Sequence, residues 1–260
     1  MELRVYSVDT PQYHFYSIQH KTQTYKYVIE KLKQYKDLGN IKIEMSMSRA
    51  LNLMDTFIDI SDPDAKSKNS VHAYQTAERI RKQHPDNHEL QICGLIHDLG
   101  KVLFIFNEPN LAVVGDTYVV GCKFADSIVY FDTMKENPDF YHPVYSTEYG
   151  IYQPGCGIEN LTLSFGHDEY LYQVLKYNNS HKLTDKYLNI IRFHSFYPWH
   201  TGKDYARFMK PCDEIIMQDV LEFNQFDLYS KTDTEFVLTD EIRTYYNNLL
   251  NEYFPEPMKW

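Results

Sequence analysis

Apolar residues recur at helical spacing along most of this chain, and polar residues fill the positions between them. Residues Thr24–Leu38 place Tyr27, Val28, Leu32 and Tyr35 on one stripe and reach a stop at Gly39. Met47–Ile58 aligns Ala50, Leu51, Met54 and Phe57. Ser70–Gln83 opens on a capping residue type and ends before His84-Pro85, where the proline disfavours helix. Glu89–Phe106 reads as one long apolar helix. Asp168–Tyr177, Asp185–Phe196, Asp213–Phe226 and Asp240–Phe254 each begin at an acidic residue, which suits the positive end of a helix dipole. Two β-prone runs flank Gly121 within Leu111–Asp132 and predict a short hairpin. Ile60–Asn69 and the Pro/Gly-punctuated 138–157 read as loops. The pattern predicts a single all-α domain with a small β-hairpin or loop insertion.

Composition narrows the function. The 260 residues fit one large domain, and a hydrophobic share of 43% is that of a globular protein. The net charge of −10 argues against nucleic acid and anionic membranes as main partners. No apolar run approaches the ~20 residues of a membrane span. Cys93, Cys122, Cys156 and Cys212 are scattered and form no CxxC pair, and no signal peptide is recognisable. A reduced, cytoplasmic protein without thiolate zinc is therefore expected. A monomer is expected.

The chemistry lies in a few polar residues set inside apolar helices. His97 and Asp98 interrupt the run CGLIHDLGK, and His72 lies one predicted helix upstream. His167, His194 and Asp227 sit in equally apolar settings. Each histidine alone reads most simply as a hydrogen-bonded core residue. Asp98 alone could be satisfied by Lys101, three residues on along the same face. Together they read otherwise, because a buried carboxylate needs a charged partner and a metal ion is one. Four imidazoles and two carboxylates suit iron, manganese or zinc, and are too many for a single ion that keeps an open position. Two ions with Asp98 as the shared bridge fit the set. Asp168 and Glu169 are assigned to the helix N-terminus. His14, His20, His84, His88, His142, His181 and His200 are assigned to the surface or to supporting roles.

The strings HAYQTAERIRKQHPD, GLIHDLGKVL, AVVGDTYVVGC, YSTEYGIYQPGCG, SFGHDEYLYQVLK, IRFHSFYPWHTGKDY and EFNQFDLYSK closely resemble the myo-inositol oxygenase family, within the HD-domain superfamily. The resemblance runs over 24–260 and leaves 1–23 as a separate amino-terminal segment. It implies an HD-domain-like helical bundle with two iron ions in a mixed-valent Fe(II)/Fe(III) state. The implied reaction cleaves the C1–C6 bond of myo-inositol with dioxygen as co-substrate, giving D-glucuronate. One iron would be held by His72, His97, Asp98 and Asp227, and the other by Asp98, His167 and His194. Lys101 and Asp98 would be catalytic. Asp59, Ser61, Lys101, Asp116, Ser195, Lys231 and an amino-terminal Arg4 would contact the polyol substrate. Two other readings stand beside it: an HD-type metal-dependent phosphohydrolase using His72, His97, Asp98 and Asp227, and a non-enzymatic dioxygen binder, which would need apolar walls.

Overall fold

A computed structural model describes residues 7–38, 43–61, 68–230 and 236–260. Arg4, Gly39 and Lys231 lie outside the described residues. The described residues are mainly helical, and several helices begin where the sequence supplies caps. Helix α1 (Pro11–Thr22) starts with the Thr10 hydroxyl accepting from Tyr13 N and Pro11 in the first turn. Helix α2 (Tyr25–Tyr35) is capped by Thr24, and α3 (Met47–Met54) by Ser46. The face expected for α3 is the buried one, although the helix ends at Met54, before Phe57. Helix α4 (Asn69–Gln83) has no cap of its own side chain. Its first turn is capped from outside, since the Asp55 carboxylate accepts from both Ser70 N and Ser70 Oγ at 2.9 Å.

The long helix expected over Glu89–Phe106 is broken. Helix α5 (His88–Ile96) stops short of His97-Asp98, and a 3-10 helix follows over Leu99–Phe106. Two glycines flank the break because backbone must pass backbone there. Gly94 presses on Ala77 of α4, where an added Cβ would stand 3.3 Å from the Ala77 Cα. At Gly100 the Cβ would run into the His167 carbonyl group. The break therefore sits between α4 on one side and α6 (His167–Asn178) on the other.

Helix α7 (Asp185–Phe193) also ends earlier than expected, and a short α8 (Tyr197–His200) follows, with Pro198 in its first turn. Helix α9 (Asp213–Ser230) runs past Phe226 and α10 (Asp240–Tyr253) completes the bundle. The β-prone runs of Leu111–Asp132 do not pair with each other. Val119 makes an isolated bridge to Leu163, and the region is otherwise 3-10 turns and bends. Burial on all sides gives Val113, Val114, Tyr118, Val119 and Val120 their apolar character without a sheet. The small antiparallel pair joins β1 (Glu44–Met45) to β2 (Met258–Lys259), and Trp260 Nε1 donates to Met45 O beside it.

The apolar pattern does not predict the amino-terminal helix, because its inner face mixes Phe15 and Tyr16 with the polar Gln19 and His20. Gln19 donates to Val114 O, and Gln23, just past the helix, donates to Leu111 O and Phe165 O and accepts from Phe165 N. These side chains satisfy backbone groups that the irregular 111–116 segment cannot pair itself. Among the described residues, no helix is long and apolar enough to cross a membrane.

Gly100→Ala tests the close approach at the break. It should cost about 1–3 kcal/mol in an unfolding titration and lower metal uptake, because His167 must move. Unchanged unfolding and uptake would show that the contact is slack.

Candidate metal centre

Each side chain of the centre comes from an element end or from a helix held by one. His72 lies in the first turns of α4, His97 and Asp98 at the α5 break, His167 at the first residue of α6, His194 just past α7, and Asp227 near the end of α9. Three of the imidazoles are aimed by backbone. Nδ1–H donates at 2.8 Å to Gly94 O from His97, to Val113 O from His167 and to Ile191 O from His194. A carbonyl only accepts, so the proton is on Nδ1 and each Nε2 faces inward as a donor to a cation.

These inward nitrogens surround one carboxylate. Asp98 Oδ2 lies 3.6 Å from His97 Nε2 and 4.0 Å from His72 Nε2. Its other oxygen, Oδ1, lies 3.2 Å from His167 Nε2 and 3.9 Å from His194 Nε2. Asp227 Oδ1 stands on the first side, 2.8 Å from His72 Nε2 and 3.4 Å from His97 Nε2. The two oxygens of Asp98 thus face two separate pairs of imidazoles, with the spacing of groups that could hold metal ions on either side.

Charge agrees with that fit. Burial alone would lower the His97 pKa, but Asp98 and Asp227 outweigh it and raise the group above its ordinary value. Burial likewise opposes charge on His167, yet Asp168 and Asp98 raise it to about 10. His194 is held down, by burial first and then by His97 and His167, against the pull of Asp168. Burial would raise Asp98, but Lys101 and His97 hold it well below the usual carboxylate range. The centre attracts positive charge strongly. Its imidazole and carboxylate donors, without thiolate, match an intermediate divalent metal.

A family model described as myo-inositol oxygenase matches residues 10–260. The chain belongs to the myo-inositol oxygenase family. Inositol oxygenase of Sus scrofa is 47% identical over 246 residues, covering 94% of this chain and 86% of that protein. Inositol oxygenase of Homo sapiens is 46% identical, covering 94% and 85%. Inositol oxygenase 1 of Arabidopsis thaliana is 45% identical over 249 residues, covering 95% and 79%.

In this member of the myo-inositol oxygenase family, Lys101 adjoins the same carboxylate and Asp59 adjoins Lys101. Ser61, Asp116 and Ser195 contact other groups nearby. Lys101 Nζ lies 2.9 Å from both Asp98 Oδ2 and Asp59 Oδ2. Burial opposes its charge, but the two carboxylates prevail and keep it an ammonium. Asp59 Oδ1 accepts from Ser61 N at 2.9 Å and from Ser61 Oγ at 2.6 Å. Asp116 accepts from Tyr16 Oη at 3.1 Å, and Thr117 N donates to Ser195 O, so this loop abuts the residue after His194. Ser195 Oγ donates to Asp168 at 3.3 Å.

Two participants, Asp168 and Asn224, escaped the sequence reading, whereas His200 takes the supporting one of the two roles expected for it. Asp168 was assigned to capping, but Gly166 is the N-cap and α6 begins at His167, which turns Asp168 inward. Its Oδ1 lies 2.8 Å from His167 Nε2 and 3.5 Å from His194 Nε2. Glu169 is instead paired with Arg192 at 2.8 Å. Asn224 and His200 both donate to His194 O at 3.1 Å, which anchors that residue from behind. Asn224 precedes Asp227 by one helical turn, and that i,i+3 spacing is a signal the sequence carried.

Metal content should separate donors from bystanders. His194→Ala should reduce divalent metal uptake by one equivalent per chain, whereas His84→Ala, a half-buried residue 3.5 Å from Glu222, should leave it unchanged. Equal losses would mean that the imidazoles do not converge on ions. Metal binding should also strengthen as pH rises towards about 10, since His167 must release its proton to bind. A pH-independent affinity would show that His167 carries no inward proton to release.

Proposed function

We propose that this chain is an inositol oxygenase that cleaves the C1–C6 bond of myo-inositol with dioxygen to give D-glucuronate. The observation that carries the reading is the division of Asp98 between two imidazole pairs, combined with family membership. Two iron ions in a mixed-valent pair would be held by His72, His97, Asp98 and Asp227 on one side, and by Asp98, His167 and His194 on the other. When bound, such a pair supplies Lewis acidity towards a hydroxyl and the redox capacity to use dioxygen.

The protein's own groups suit a polyol. Lys101 keeps a fixed positive charge beside the bridging carboxylate, favouring the deprotonated form of a nearby substrate hydroxyl. Asp59 is oriented by Ser61 and Lys101, and Asp116 by Tyr16, so both carboxylates are set in place as acceptors for ring hydroxyls. Ser195 offers a hydroxyl on the His194 side. Burial of Asp59, Lys101 and Ser195 excludes bulk water from the reacting centre. A small-molecule polyol is therefore the partner. One chain supplies the whole donor set, so a monomer suffices. A phosphohydrolase would share His72, His97, Asp98 and Asp227, but Lys101 is engaged by two carboxylates, and Asp59 and Asp116 would repel an anion.

The test is direct. Protein loaded anaerobically with ferrous iron and myo-inositol should form D-glucuronate when dioxygen is admitted. Hydrolysis of a phosphate ester with no glucuronate would favour the other reading. Lys101→Met should retain iron yet turn over more slowly by about 10²–10³-fold, comparable to losing one preorganised charge. Loss of iron with normal turnover of the remaining loaded enzyme would reduce Lys101 to a structural counter-charge.

A further inference from the structure

Asp168 is the carboxylate that the ligand set above leaves unused. It is 1% exposed and so needs a charged partner. Its Oδ1 stands 2.8 and 3.5 Å from the inward nitrogens of His167 and His194, while Asp98 Oδ1 stands 3.2 and 3.9 Å from the same two nitrogens. The two carboxylate oxygens are therefore placed alike. With metal–donor bonds of ~2.1 Å, neighbouring donors of one ion lie ~3 Å apart. Asp168 Oδ1 meets that spacing as well as Asp98 does. His167, Asp168 and His194 form a set able to hold an ion by themselves.

What distinguishes Asp168 is how little holds it besides the two imidazoles that a metal would claim. Asp98 is fixed by Lys101 at 2.9 Å, and His167 and His194 by backbone carbonyls at 2.8 Å. Asp168 Oδ2 has no hydrogen-bond partner among the described residues, and Oδ1 has only the long 3.3 Å bond from Ser195 Oγ beyond its imidazole neighbours. The two sides of the centre are also unequal. The His72 side has two imidazoles, Asp98 Oδ2 and Asp227, whereas the His194 side has two imidazoles and Asp98 Oδ1. A fourth donor on that side would balance them, and a weakly held one could leave.

We propose that Asp168 is a seventh donor, which ligates the ion on the His167–His194 side until a polyol hydroxyl replaces it. The replacement breaks one metal–carboxylate bond and forms one metal–hydroxyl bond, with no change of oxidation state. The released carboxylate retains Ser195 Oγ as its hydrogen-bond partner and the neighbouring ion as its counter-charge. The donor role rests on the metal reading alone, and the replacement rests on the polyol reading.

Anaerobic ferrous titration of the full chain, followed by calorimetric titration with myo-inositol, tests both parts. In Asp168→Asn, without inositol, the first iron equivalent should bind as in the native chain, which also reports a sound fold. The second should bind at least about tenfold more weakly. Iron-loaded Asp168→Asn should bind myo-inositol as tightly as the native protein or more tightly, because no ligand has to leave. Asp168→Ala should behave alike, and serves if the Asn variant does not fold. An unchanged second equivalent would show that Asp168 only pairs with the His167 imidazolium, overturning the proposal. Weaker inositol binding by the loaded variant would make Asp168 a substrate acceptor instead of a displaced ligand. If loaded native protein binds no inositol, the polyol reading fails and the replacement with it, while the iron arm still decides whether Asp168 is a donor.

Discussion

A carboxylate removed from water costs several kcal/mol unless positive charge meets it on the spot. Asp98 is 5% exposed, and the protein meets that demand from two directions. Lys101 and two imidazoles approach Oδ2, and two further imidazoles approach Oδ1. The elements carrying these groups are distant in sequence, so the demands of this one side chain constrain how α4, α5, α6 and α7 may pack. The broken helix at His97-Asp98 follows from the same requirement. A continuous helix would carry on past Ile96 without the tight turn that sets Asp98 between the two imidazole pairs.

Positions behind the centre are as constrained as the centre itself. Small residues let backbones approach where side chains must converge, as Gly94 does against Ala77 and Gly100 against His167. Backbone carbonyls of Gly94, Val113 and Ile191 fix the tautomers. His194 is held additionally through its own carbonyl by His200 and Asn224, and Phe223 lies against the rings of both His97 and His194. Helix α9 thus supplies Asp227 and, one turn earlier, the brace for the opposite side.

Much of this was legible in residue types alone. A histidine or aspartate set in an otherwise apolar helical run has to be explained, and His72, His97, Asp98, His167, His194 and Asp227 stood out on that ground before any coordinates. All of them converge. The failures are also physical. Asp168 follows a ligand at a helix start, where acidic residues are ordinary, so its inward aim was invisible without the helix phase. Helix α1 buries Gln19 and His20 beside Phe15 and Tyr16, so its apolar stripe is too short to show as periodicity. The valine-rich 112–120 stretch is buried except at Gly115 and Asp116, and burial favours the same residues as a strand does. The ends of α5 and α7 depend on tertiary contacts that local propensity does not contain. Arg4 and Lys231 remain sequence assignments beyond the described residues.

The central claim is that Asp98 bridges two ions. Crystals of the protein loaded anaerobically with ferrous iron, measured on either side of the iron absorption edge, test it most directly. Two anomalous peaks are expected, one among His72, His97, Asp227 and Asp98 Oδ2, and the other among His167, His194 and Asp98 Oδ1. A single peak, or two peaks on the same side of the Asp98 carboxylate, would contradict the account.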